Sequence, residues 1–126
     1  MSVSITRTAD ATAIDWSRSD DPQGYLVQAI DTGRLADALT ALGLPTYEEL
    51  AVVDEFERAR ILRSTAALAA ELTRRVRHMT VAARDEDEMT WGTLASTLTG
   101  DPNLRSTARS TYEAGLRQMG RIPAAD

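Results

Sequence analysis

Cysteine and lysine are both missing from this chain of 126 residues. Without cysteine there is no disulfide framework and no thiolate metal site, and the absence fits a reducing compartment. Without lysine, all fourteen basic residues are arginine. Beside so much alanine this reads as the mark of a GC-rich genome, and composition alone gives arginine no special role toward phosphate or guanine. No apolar run approaches the roughly 20 residues that span a bilayer. Residues 1–10 have neither a basic start nor an apolar stretch, so the expectation is a cytoplasmic protein without a secretory signal or membrane. The seven glycines stand singly, which excludes a glycine-rich phosphate loop. No nucleophile elbow or metal-ligand spacing is present, and carboxylates without a cleft do not argue for catalysis. Neither enzymatic activity nor a cofactor is expected.

What is present is an ordinary globular composition, 43% hydrophobic and 26% charged, enough for one domain with a modest core. The net charge of −5 speaks against nucleic acid, because neutralising phosphates supplies most non-specific affinity. Its distribution softens that objection. Residues 1–70 hold six arginines against eleven carboxylates, whereas residues 71–126 hold eight of each. The acidic excess thus belongs to the N-terminal half.

Residues 1–20 are rich in Ser, Thr, Asp and Ala without a sustained period, and read as a tail or arm that Ile5, Ile14 and Trp16 could anchor. From residue 21 to 126 the expectation is all-α: a single helical domain with a long central helix and a C-terminal helix-turn-helix. Asp21-Pro22 reads as a helix start and Gly33 as its end. Leu35, Leu39 and Leu42 lie on one face of a second helix that stops at Gly43. Thr46 with Glu49 forms a capping box. Residues 46–89 contain neither glycine nor proline, so the next helix runs to about Arg84, with a bend near Asp54 as the alternative. Leu68, Leu72, Val76, Met79 and Ala83 recur along it at spacings of four, four, three and four, an apolar stripe. As one piece it would extend about 57 Å, more than a small monomer can cover. Either it is two helices or its exposed stretch packs on a second copy; the expectation is a homodimer packed through this helix, with residues 22–84 as the core and dimerisation part.

Residues 85–121 carry the helix-turn-helix outline. Thr90 caps a short helix with Trp91, Leu94, Ala95 and Leu98 inward. Thr99-Gly100 turns, Asp101-Pro102 starts again, and Leu104, Ala108, Tyr112, Leu116 and Met119 face inward on the last helix. A small residue at position 95 lets the two helices approach. At 100° per residue the opposite face presents Asn103, Ser106, Thr107, Ser110 and Arg117, with Arg109 on its flank and Arg105 nearer the buried edge. Hydroxyls, an amide and arginines are the groups that read base edges and grip phosphates. An ordinary helical hairpin would also expose a polar face. His78, alone, reads as a surface residue. Trp91 reads as core rather than a base-stacking ring, and the run Asp85 to Glu88 as a solvated loop near a helix start.

The stretch from Glu57-Arg58-Ala59-Arg60 through the long helix to Trp91-Gly92-Thr93-Leu94-Ala95-Ser96-Thr97-Leu98 resembles a group of small actinobacterial regulators. In these a helical segment precedes a motif similar to the fourth region of sigma factors. The resemblance covers residues 54 to about 119 and implies double-stranded DNA as partner, bound through the second helix of the motif. Arg105-Ser106-Thr107-Ala108-Arg109 matches its polar stretch around one small buried position. Thr99-Gly100-Asp101-Pro102-Asn103-Leu104 departs from it, being longer than the usual tight turn. The expected function is a sequence-specific transcriptional regulator acting as a dimer. A helical interaction module, adaptor or antitoxin-like, whose acidic N-terminal half binds a basic protein, is the alternative, and a multimeric DNA-packaging protein a third.

Overall fold

A computed structural model describes residues 3–121, and its described part is mostly helical, as expected of an all-α chain. Strands β1 (Ser4–Arg7) and β2 (Thr12–Asp15) are followed by a 3-10 turn at Arg18–Asp20. The helices are α1 (Tyr25–Asp31), α2 (Arg34–Leu42), α3 (Tyr47–Ala51), α4 (Glu55–Asp85), α5 (Trp91–Thr99) and α6 (Arg105–Gln118). The chain divides into two compact units, residues 1–68 and 69–126, with α4 contributing to both.

In the first unit the expected tail is instead an antiparallel hairpin pairing Ile5 with Ile14. Four-residue strands are too short to register as a period. Thr8 sets the turn, its N–H donating to the Ala11 carbonyl at 2.8 Å while its hydroxyl accepts from the Ala11 N–H at 3.1 Å. Asp21-Pro22 does not open α1 directly. Proline occupies the second position of a β-turn closed by the Gly24 N–H on the Asp21 carbonyl at 3.0 Å, and Gly24 turns left-handed at φ 74° to launch the helix. The Asp21 carboxylate still caps, accepting from Leu26 and Val27 N–H groups at 3.0 Å each. The bend alternative near Asp54 is the one adopted. α3 ends at Ala51, and Asp54 caps α4 by accepting from Phe56 and Glu57 at 2.9 and 3.2 Å. Arg58 folds back to donate to the carbonyls of Ala51 and Val53, which α3 leaves open.

The apolar face read on α2 is corrected: Leu39 and Leu42 are exposed, and the buried residue is Asp37. Its carboxylate accepts from the Ser64 hydroxyl at 2.7 Å and meets Arg60 Nε at 3.4 Å, fastening α2 to α4. Ile61 is the buried hydrophobic residue described in this unit.

The second unit has a firmer centre. Leu94, Ala95 and Ala108 form it, with Ala83, Met89, Trp91 and Leu98 packed around them. The apolar stripe of α4 is not the side of the helix that is buried within this unit. Leu72, Val76 and Met79 are exposed, whereas Thr80 and Val81 are buried. The reason is the neighbour. A Cβ on Gly115 of α6 would lie 2.5 Å from the Arg77 carbonyl oxygen and 2.7 Å from Val81 Cγ2, so α6 lies backbone-close on the Arg77–Val81 face of α4. Gln118 secures the contact, accepting from Arg77 Nη1 at 2.7 Å and donating to the Arg74 carbonyl. Leu104 and Met119, expected inward, are exposed.

Two outcomes follow. Gly115→Ala should destabilise the protein by about 1–3 kcal/mol, the usual cost of overpacking, seen as a lower melting temperature; the solvent-facing Ser110→Ala should not share it. Hydrogen bonds from Leu26 and other backbone N–H groups hold the Asp21 carboxyl below its usual range. Its folded-state pKa is depressed, so the stabilisation is present above the unfolded value of 3.8 and fades as pH falls through the folded one. An acid titration followed by circular dichroism should show Asp21→Asn losing part of this acid sensitivity.

Candidate nucleic-acid interface

α5, the turn and α6 form a pair of amphipathic helices whose ends are set by recognisable chemistry. Thr90 accepts from the Thr93 N–H at 3.1 Å to start α5. Gly100 ends it in the left-handed region at φ 82°. The second Asp-Pro pair then behaves like the first. Leu104 N–H closes a turn on the Asp101 carbonyl at 3.2 Å, the Asp101 carboxylate accepts from Asn103, and α6 begins only at Arg105. The helix start read at Asp101-Pro102, with Asp101 as cap, is therefore three residues too early, and Asn103 belongs to the turn rather than to a recognition helix.

The other six residues singled out lie on α6 and are exposed, as is Asn103. They do not form one uniform face. Ser106, Ser110 and Arg117 follow one another at helical spacing on the side away from buried Ala108 and Gly115. Thr107 sits to one side, and its backbone carbonyl accepts from Thr111. Arg105 and Arg109, one turn apart, lean instead toward the start of α5. The Arg105 guanidinium passes Gly92 so closely that a Cβ there would lie 3.3 Å from Nη2. Arg109 lies over the Trp91 ring, 5.1 Å from its centroid.

Trp91 is the hub of this corner. Arg84, which donates to the Met89 carbonyl at 2.7 Å, also lies over the indole at 4.3 Å. Tyr112 meets the ring edge-on at 5.4 Å and 82°. Both contacts suit the indole, whose electron-rich face attracts guanidinium groups and whose rim accommodates an edge-to-face partner. The Tyr112 hydroxyl donates to Asp85 at 2.7 Å, and Arg121 approaches the other carboxylate oxygen at 3.7 Å. That hydrogen bond, then partial burial, pushes the Tyr112 phenol above its usual range.

Sequence reasoning placed Trp91 on the inner side and His78 on the surface, and both hold. It missed Arg84, Gly92 and Gly115. The signal for the glycines was there: glycine inside a helix costs about 1 kcal/mol against alanine, so each calls for a packing reason. For Arg84 no spacing pointed to the ring seven residues on, across a turn. Among the described residues no group of three His, Asp or Glu side chains is placed to hold a metal ion. No helix of the described residues is long and apolar enough to cross a membrane.

No protein-family model matches the chain, and no curated protein or solved structure shows detectable similarity to it. Its own residues carry the functional argument.

Tyr112→Phe should lower stability by about 0.5–1.5 kcal/mol, one hydrogen bond's worth, with no change in helix content. The phenol's raised pKa means this contribution is present below the unfolded value near 10 and lost as pH rises through the folded one. The gap in melting temperature between wild type and Tyr112→Phe should accordingly close in strong alkali.

Proposed function

We propose that α5, the turn and α6 act as a helix-turn-helix that reads double-stranded DNA, and that the protein is a cytoplasmic, sequence-specific transcriptional regulator. The observation that carries this reading is the outer side of α6. It presents Ser106, Ser110 and Arg117, flanked by Thr107, Arg105 and Arg109, on a helix held from behind by Ala108, Gly115 and Leu116. Hydroxyls and guanidinium groups on a rigid helix are what a major groove selects for: hydroxyls to either base edges or phosphates, arginine to guanine or to the backbone. α6 carries three arginines against one carboxylate, Glu113, so its own charge favours DNA although the chain's does not. The later start of α6 moves the first base-reading position from Asn103 to Arg105 or Ser106. No catalytic step is proposed.

A second reading has an observation of its own. In the acidic first unit Leu42, Tyr47, Val52 and Phe56 are 78–85% exposed, beside Glu48, Glu49, Glu55 and Glu57. Apolar side chains rimmed by carboxylates fit a basic protein partner.

Fluorescence anisotropy on a duplex selected from random sequence, at two salt concentrations, tests the leading reading. Arg117→Ala and Ser110→Ala should weaken specific binding with melting temperature unchanged. Loss of a bidentate guanine contact costs about 1–3 kcal/mol and relaxes preference at one position. Loss of a phosphate contact weakens all duplexes alike and flattens the salt dependence. Failure of the wild type to bind any duplex at low salt would hand the function to the protein-partner reading.

A further inference from the structure

Two glycines stand inside helices of the second unit, and they differ in what the missing side chain makes room for. At Gly115 it is backbone, the Arg77 carbonyl oxygen lying 2.5 Å from where a Cβ would be. At Gly92, the second residue of α5, the three nearest atoms all belong to the Arg105 guanidinium: Nη2 at 3.3 Å, Nε at 3.5 Å and Cζ at 3.8 Å. Backbone cannot give way without moving a helix, whereas the end of an exposed arginine can swing aside. The fold therefore needs Gly115 and does not need Gly92. What Gly92 provides is a place for Arg105.

That place is an unusual one for a cation. Arg105 makes no hydrogen bond or ion pair with any described residue, yet its guanidinium lies along the first turn of α5. Arg109, one turn on, lies over Trp91, and Arg84 reaches the same ring from the end of α4. Three guanidinium groups thus come to two adjacent residues of α5. Like charges gathered in this way repel, and an anion beside them relieves the repulsion. Arginine and phosphate are matched for that role, because the planar fork of donors fits the phosphate oxygens.

We infer that Gly92 is a positioning residue, holding Arg105 against α5 to grip a backbone phosphate of DNA and leaving Ser106 as the first residue of α6 to meet base edges. This role rests on the helix-turn-helix reading of α5 and α6. Phosphate suits Arg105 better than a base does, since a guanidinium drawn back to α5 lies off the outward row of Ser106, Ser110 and Arg117. Placing a long side chain in advance also lowers the entropy lost when it binds.

A double-mutant cycle tests this by fluorescence anisotropy of the full chain on the selected duplex and on a scrambled one of the same length. Arg105→Ala should weaken both on the order of 10-fold and lower the salt slope by about one, as loss of one phosphate contact does. Gly92→Ala should weaken both several-fold and Gly92→Leu more. Melting temperature should hold or rise, because both residues favour a helix over glycine. In the Arg105→Ala background neither change at position 92 should weaken binding further. Should Gly92→Leu disturb folding by circular dichroism, Gly92→Ala alone completes the cycle. Full binding by the Gly92 variants, or losses that add to that of Arg105→Ala, overturn the proposal while the wild type's specific binding keeps the helix-turn-helix reading. So does a fall in melting temperature with Gly92→Ala, which would make this glycine a packing residue like Gly115. A wild type that binds neither duplex at low salt overturns both together.

Discussion

Backbone contact between α6 and α4 at Gly115 is the constraint on which the C-terminal unit depends. With no side chain at that point, α6 settles against the Arg77 carbonyl and Val81. Only at that separation can Gln118 reach both Arg77 and Arg74, and Tyr112 reach Asp85. The same placement turns Ala108 toward Leu94 and Ala95, where two alanines let α5 and α6 close over a core with one large fully buried side chain. The outer side of α6 is thereby a consequence of what its inner side is made of. Small residues within, rather than the serines and arginines without, decide which way the polar face points.

Capping was legible in advance because it is local chemistry. Thr46 and Thr90 accept from the residue three positions on, and Gly100 closes α5 in the left-handed region. The two Asp-Pro pairs were half legible. Proline in the second position of a β-turn delays both helices by three residues, to Tyr25 and Arg105, while the carboxylate before it still finds backbone N–H groups. The inner face of α4 was not legible. Apolar spacing picks out Leu72, Val76 and Met79, but burial went to Thr80 and Val81 because a glycine on another helix made that side the closer one. A periodicity argument weighs each residue's hydrophobicity and has no access to how small its future neighbour is. The six helical residues of the set on α6 are all exposed, but Ser106, Ser110 and Arg117 alone share the side opposite the small-residue stripe, Arg105 and Arg109 being drawn to α5 by Gly92 and Trp91; Asn103 was lost with the turn.

The two units are held by different means. The second has a packed centre. In the first, alongside Ile61, polar latches recur: Asp37 to Ser64 and Arg60, Asp21 to the start of α1, Asp54 to the start of α4, Arg58 to the end of α3. Hydrogen bonds of this kind contribute about 0.5–1.5 kcal/mol each, whereas burying a leucine or phenylalanine contributes about 1.5–3. The N-terminal unit therefore belongs to the easily opened part of the chain, and the region carrying α5 and α6 to the part that resists opening.

The placement of the two tryptophans has an optical consequence. Trp16 lies in one unit and Trp91 in the other. Each unit thus contains its own intrinsic chromophore, and replacing either by phenylalanine leaves a single-tryptophan protein whose emission follows one unit alone. Trp91 is the more sensitive of the pair, because two guanidinium groups rest on its ring and one of them, Arg109, belongs to the exposed helix. Any molecule that draws Arg109 away changes the electric field across the indole, so the protein carries an unlabelled reporter of events on α6.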